Sequence, residues 1–380
     1  MGLVVKVELQ GNGVYLAGER VSCTITLTNN GTGTKTIAWM GAQLHCQCSH
    51  RRDLKLGGTT STTVSSPITD TTFVPNRDEP GLTLASTPTV VLLCNLTLQP
   101  QENRTVLYSD TIPAGGPPSF AGRLVQYKYK MTVGAQELGC PTHSVRIPFR
   151  VLTAPESLTC HPPIQSPPTG NPFLSPKEQQ QPTLEEALHM LTTEASRRAS
   201  MSYTLKSAYG VLGRLSLFKS SYKLGEDIIG SFEFSCDAVT CLQLYVVLQS
   251  TEEINEEFVP PSSSARGIKA NCTAHAHHIE CCHNTKQTHF TLPVPQNVTQ
   301  SFKIHAVKLQ WQLHFEFVIT KGPPRELVMA SVSSCLAGSK ATLWQGLQPV
   351  AMESMTWNLP VTILPTLPLY QAHKPHTLVL

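Results

Sequence analysis

The sequence predicts an all-β chain, two β-sandwich domains joined by a Pro-rich linker with one short helix. Three observations predict it. Charged side chains make up only 14% of 380 residues, below the roughly 25% of ordinary soluble domains and far below what helical bundles use. Apolar residues recur at alternate positions in runs bounded by turn residues, the period of a half-buried strand. A turn-plus-strand motif also occurs twice: Tyr15-Leu-Ala-Gly-Glu19 and Tyr222-Lys-Leu-Gly-Glu226 both read Tyr-x-x-Gly-Glu.

The first domain is expected over residues 1–152. Its start alternates from Lys6 onward and lacks the basic opening and apolar centre of a signal peptide. Tyr15, Gly18 and Glu19 form a turn in which glycine is free to take a positive φ, and Val21, Cys23, Ile25 and Leu27 then line one face of a strand. Cys46 and Cys48, two apart on a strand, read as small core groups. Residues 51–88, with Thr59-Thr-Ser-Thr-Thr63, read as a long mobile loop. Val125, Tyr127, Tyr129, Met131 and Val133 alternate with Gln126, Lys128, Lys130 and Thr132, and Ile147-Pro-Phe-Arg-Val-Leu152 closes the domain.

Residues 153–204 form the linker, Pro-rich and extended from His161-Pro-Pro163 to Pro182. Thr183-Leu-Glu-Glu186 is a capping box ahead of Ala187, Leu188, Met190 and Leu191, hence a short amphipathic helix.

The second domain is expected over 205–370. Tyr222, Gly225 and Glu226 repeat the turn, and Ile228, Gly230, Phe232 and Phe234 the strand. Thr291-Leu-Pro293 answers Thr111-Ile-Pro113, and Leu359-Pro-Val-Thr-Ile-Leu364 answers Ile147–Leu152. Three matches in one order argue for a duplication, with about 130 residues between the turn glycine and the last proline of each copy, enough for a seven- or eight-stranded sandwich. Val307, Leu309, Trp311, Leu313, Phe315, Phe317 and Ile319 form the most apolar face, where an aromatic-to-Ala change is expected to cost roughly 3 to 5 kcal/mol. Residues 321–350 read as a loop insertion and 371–380 as a tail.

Function classes follow from what is missing. The longest apolar runs, Val90–Cys94 and Leu244–Leu248, are too short to span a bilayer. Twelve cysteines without a leader or a Cys-x-x-Cys read as reduced thiols. Residues 1–153 carry 13 basic and 9 acidic side chains, +4, and the remainder 16 and 17, −1; this is mildly basic at one end and no nucleic-acid footprint. No nucleophile elbow or phosphate loop occurs, so no catalytic residue and no cofactor is assigned. Glu19 and Glu226 recur in both copies, as structural turn residues do.

Four further features have two readings each. His275, His277, His278, Cys281, Cys282, His283 and His289 offer zinc-binding chemistry, but their spacing fits no usual zinc site, and the reading preferred is a His-rich loop running into a strand with no metal bound. Lys128 with Lys130, and Arg146 with Arg150, read either as solvated sheet faces or as a contact for an anionic membrane or an acidic partner segment. His314 and Glu316 read either as a cross-strand pair or as a partner contact. Arg197-Arg-Ala-Ser200 resembles a basic-directed phosphorylation site.

Two sandwiches with repeated Tyr-x-x-Gly-Glu starts resemble the arrestin fold, so the two domains are expected to be arrestin-like. More closely, Val14–Glu19, Ala38-Trp-Met-Gly-Ala-Gln-Leu-His-Cys-Gln47, Gly116-Pro-Pro-Ser-Phe-Ala-Gly122, Phe218-Lys-Ser-Ser-Tyr-Lys-Leu-Gly-Glu-Asp227 and Trp311-Gln-Leu-His-Phe-Glu-Phe317 resemble the retrograde Golgi transport (Rgp) family over nearly the whole chain. The resemblance implies a non-catalytic subunit of a two-protein guanine-nucleotide exchange factor. Its implied partners are a large Ric subunit bearing a β-propeller and a Rab-six class small GTPase, and its implied setting is the cytoplasm at the Golgi membrane, in endosome-to-Golgi retrograde traffic. The loops and the extra His and Cys between 275 and 289 depart from the family pattern. An α-arrestin adaptor is the rival class, but no Pro-Pro pair here leads into the Pro-Pro-x-Tyr motif such adaptors use.

Overall fold

The computed structural model describes residues 3–50, 82–153, 193, 200–235, 238–258, 270–283, 285–304, 306–321, 351–366 and 376–379. The first sandwich is built from β1 (Leu3–Leu9), β2 (Val14–Leu16), β3 (Arg20–Asn29), β4 (Lys35–His50), β5 (Leu82–Ser86), β6 (Val90–Leu98), β7 (Asn103–Thr111), β8 (Phe120–Ala121), β9 (Val125–Glu137) and β10 (Thr142–Leu152). The second follows with β11 (Met201–Ser207), β12 (Gly210–Leu217), β13 (Ser221–Lys223), β14 (Asp227–Phe234), β15 (Val239–Ile254), β16 (Ala270–Cys281), β17 (Gln287–Pro293), β18 (Phe302–Lys303), β19 (Val307–Lys321) and β20 (Glu353–Leu364). A last strand, β21 (His376–Val379), returns to the first sandwich and pairs antiparallel with β1.

Each sandwich has two sheets. The first stacks β21-β1-β3-β7 on β2-β10-β9-β4-β5, and the second stacks β11-β12-β14-β17 on β13-β20-β19-β15-β16. The two orders agree except at two places: β21, from the far end of the chain, takes beside β1 the position of β11 beside β12, and β6 has no counterpart. The duplication read from three short motifs thus extends through most of the topology. Inward residues of alternating strands fill each core: Val21, Cys23, Ile25, Leu27, Cys46 and Cys48 in the first, Phe232, Phe290, Trp311, Phe315 and Phe317 in the second. Burial pushes the Cys46 thiol up to about 12, so it packs as a neutral apolar group.

The duplicated turns share their glycine and carboxylate geometry. Gly18 and Gly225 take φ of 88° and 83°, in the left-handed region. Their N–H groups donate to Ile112 and Val294 carbonyls at 3.0 and 2.9 Å. Glu19 accepts from the Leu16 N–H at 2.7 Å and Glu226 from the Lys223 N–H at 2.9 Å, so each carboxylate closes its own turn. The Tyr15 and Tyr222 hydroxyls donate to the carbonyls of Gln10 and Lys219. Pro148 and Pro360 fit within strands for one reason. The N–H groups of Arg150 and Thr362, two residues on, donate sideways to Gly13 and Ser220, while β2 and β13 begin only opposite Arg150 and near Thr362, so neither proline displaces a ladder bond.

The structure departs from expectation in four places. β5 lies within 51–88, expected as loop, because Leu82–Ser86 finds an open stretch of β4 from His45 to Cys48 to pair with. β11 begins at Met201, inside the span expected as linker, because it forms a hairpin with β12. β16 is a full strand from Ala270, so the His-rich segment through Cys281 is strand rather than loop. Residues 376–379 of the expected tail are the strand β21. The linker helix expected from Thr183 lies outside the described residues except at Thr193, which is helical, and the insertion at 321–350 lies outside them beyond Lys321.

Candidate functional site

The two sandwiches meet at a seam that their cores share. Ile254, Phe258, Phe302, Val307 and Leu309 of the second pack into the core of the first, with Phe302 edge-on to Phe120 at 5.1 Å. At its centre is Glu252, the last inward-facing polar residue before Ile254 on β15 and only 3% exposed. Its carboxylate accepts the N–H of Arg123 at 2.9 Å, of Leu124 at 3.1 and 3.2 Å, and of Val125 at 2.8 Å, three successive amides leading from β8 into β9. Such a nest of amides is a ready anion receptor, and Gly122 beside it has no room for a Cβ against Glu252 and Phe120. Burial lifts the Glu252 carboxyl above the ordinary range, with the three amides pulling the other way.

The internal duplication shows which seam residues are additions to the fold. Phe120 faces Tyr127 and Tyr127 faces Cys48 in the first copy; Phe302 faces Leu309 and Leu309 faces Glu252 in the second. Glu252 therefore stands where the first sandwich has a buried cysteine. Tyr129 and Trp311 are likewise equivalent, donating from the hydroxyl to the Pro117 carbonyl and from the indole N–H to the Thr299 carbonyl. Ser119 and Ser301 each accept a strand N–H, from Val151 and Ile363, both at 2.9 Å. Two clefts flank the seam. The smaller, about 170 Å³, is lined by Glu252, Ser250, His275 and Trp311, and the larger, about 610 Å³, lies between 114–118 and β18–β20.

The residues singled out from sequence divide among different places. Lys128 is exposed on the outer face of β9, Lys130 donates to Gln47 Oε1 at 3.2 Å, and Arg146 faces Thr132 on the same side of that sheet. Arg150 does not complete a basic face. Its guanidinium turns to the seam and donates to the Val298 carbonyl at 3.0 Å. His314 pairs across strands with Asn358, Nδ1 to Oδ1 at 2.6 Å, whereas Glu316 lies two residues along the same strand, 3.4 Å from Nε2. The cross-strand partner of His314 is thus Asn358 and not Glu316.

The His and Cys side chains are divided by strand alternation. His275 stacks on Trp311 at 4.5 Å and meets Ser250 Oγ at 2.7 Å, while His277 turns to Tyr245 and His278 to Phe290. Cys281 is exposed, Cys282 buried, and His289 sits on β17 in the other sheet. Among the described residues no three His, Cys, Asp or Glu side chains converge as a metal site would require. Ser200 is exposed just before β11.

Sequence reasoning missed Glu252 and the seam. One signal was present: Leu244, Val246, Leu248, Ser250, Glu252 and Ile254 alternate inward, and a carboxylate in that row needs a buried partner.

Fold and seam define a class: a duplicated β-sandwich protein whose two sandwiches share a core at their junction. The Rgp1 family model matches residues 55–165 and 161–320. The human protein named RAB6A-GEF complex partner protein 2 is 34% identical over 388 aligned positions, covering 98% of each chain, and the bovine protein of that name is 32% identical over 94% of this chain and 92% of its own. The chain belongs to the Rgp1 family.

Proposed function

We propose that this chain is the non-catalytic subunit of a heterodimeric guanine-nucleotide exchange factor for a Rab-six class GTPase, serving scaffolding and recruitment in endosome-to-Golgi retrograde transport. The observation that carries the proposal is the end-to-end similarity to human and bovine proteins named as partners in a RAB6A exchange-factor complex. The architecture suits the role. A seam held by a buried carboxylate and a shared core sets two sandwiches at one angle, which gives a platform for a large partner and a GTPase at once. The large partner is a β-propeller Ric subunit, and the complex works at the cytoplasmic face of the Golgi membrane. The proposed division is a first sandwich over 1–152 that β21 joins, a linker up to β11 at Met201, and a second sandwich from there to 370.

Affinity purification of the tagged full chain from cells, followed by mass spectrometry, tests the assignment. Recovery of one large β-propeller protein in near-stoichiometric amount is expected. Recovery of ubiquitin ligases in place of any propeller would overturn it in favour of an α-arrestin adaptor.

A further inference from the structure

The larger cleft carries an assignment of its own, independent of which GTPase the complex serves. We propose that it binds a phosphate-bearing anion between Lys303 and Lys308. These two lysines stand directly opposite each other across β18 and β19, and both line the cleft. Like charges facing each other on an antiparallel pair destabilise the sheet, so the arrangement needs a reason. The fold does not supply one: in the first sandwich the equivalent pair is Ala121 and Gln126, uncharged. The second copy has placed two ammonium groups where its duplicate has none.

Among the described residues no carboxylate lines the cleft beside them, and neither lysine forms an ion pair. Glu253 is the register partner of Lys308 on β15, but it does not line the cleft. The remaining polar side chains, those of Thr153, Ser301, Gln310 and Thr362, can each donate. Ser301 Oγ accepts the Ile363 N–H at 2.9 Å, which leaves its own proton to donate, and the hydroxyls of Thr153 and Thr362 line the same space.

A phosphate group presents three or more oxygens and is matched by several donors of this kind, with lysine as a point charge. The cleft, about 610 Å³, lies within the range of small-molecule sites. The apolar surfaces of Phe302, Leu309 and Trp311 leave room for the organic part of a phosphate ester. Two adjacent cations in a half-open cleft fit a compact headgroup or a soluble phosphate better than a long acidic peptide, which would want a charged track.

Two variants test the site in the full chain. Lys303→Gln with Lys308→Gln removes both charges without touching the seam. Gly115→Glu sets a carboxylate on the opposite wall, where an added Cβ meets no atom within 4 Å. Calorimetric titration with inorganic pyrophosphate is expected to show saturable binding by the unaltered protein. That binding should weaken with salt and fall at least tenfold in each variant, with Lys206→Gln, on the exposed side of β11, unchanged.

Cosedimentation with phosphatidylcholine vesicles, with and without a phosphatidylinositol phosphate, separates the ligand sources. Vesicle binding that needs the phosphorylated lipid and is lost in the variants assigns a membrane headgroup, and pyrophosphate binding without vesicle binding assigns a soluble phosphate. No saturable pyrophosphate binding, variants that bind as the unaltered protein does, or binding to polyglutamate alone would overturn the proposal.

Discussion

Replacing Glu252 with Ala tests the seam at its centre. The substitution removes one acceptor group and leaves the N–H groups of Arg123, Leu124 and Val125 without it. An unsatisfied buried donor costs about 1 to 3 kcal/mol. The small cleft beside Glu252 admits water to part of the site, so the lower figure applies, and three amides give about 3 kcal/mol. At roughly 2 to 4 °C per kcal/mol for a domain of this size, the melting temperature should drop by about 6 to 12 °C. Because the loss falls on the joint, calorimetry should resolve one melting transition into two.

The pH dependence has a definite sign. Burial raises the folded-state carboxyl above its ordinary 4.5, so in the window between the two values the folded chain binds more protons than the unfolded one. The stability contributed is complete below 4.5 and is lost as pH rises through the folded-state value. Glu252→Gln should lack that slope. A Glu252→Ala protein that melts within about 2 °C of the parent, less than 1 kcal/mol at this size, in one unsplit transition would refute the reasoning.

Burial pushes the His275 imidazole below its ordinary 6.5, so its contribution is complete above 6.5 and is lost as pH falls through the folded value; His275→Gln should flatten the stability profile there by denaturant titration. The one charged residue that lines its cleft, Glu252, is engaged by amides. Phe317→Ala removes a fully buried ring stacked on Phe315 and should cost about 3 to 5 kcal/mol in urea unfolding. Deleting residues 376–380 strips β21 from β1, and hydrogen exchange should accelerate at residues 4–7 while the second sandwich is unchanged.

The duplication was legible because its signals are local: the Tyr-x-x-Gly-Glu turn needs a glycine at positive φ and a carboxylate three residues after the N–H it caps, and both copies keep them. The strands of β9 and β19 were legible from strict alternation. β5, β16 and β21 were not, because a strand at a sheet edge forms only where a neighbour offers an unpaired side, and pairing partners far along the chain leave no local mark. Arg150 looked like a member of a charged face since periodicity fixes which side of a sheet a residue leaves, not where a long side chain ends. Glu252 is the clearest case. Its place in an apolar row marked it as partnered, but the partner amides lie more than a hundred residues away.

The central claim, that this chain supports nucleotide exchange without performing it, is tested most directly by following fluorescent GDP release from a Rab-six class GTPase. The measurement compares the chain alone, the large propeller subunit alone, and both together. No acceleration by the chain alone is expected, and release should be fastest with both present. Acceleration by the chain alone, or no gain when it joins the large subunit, would contradict that claim.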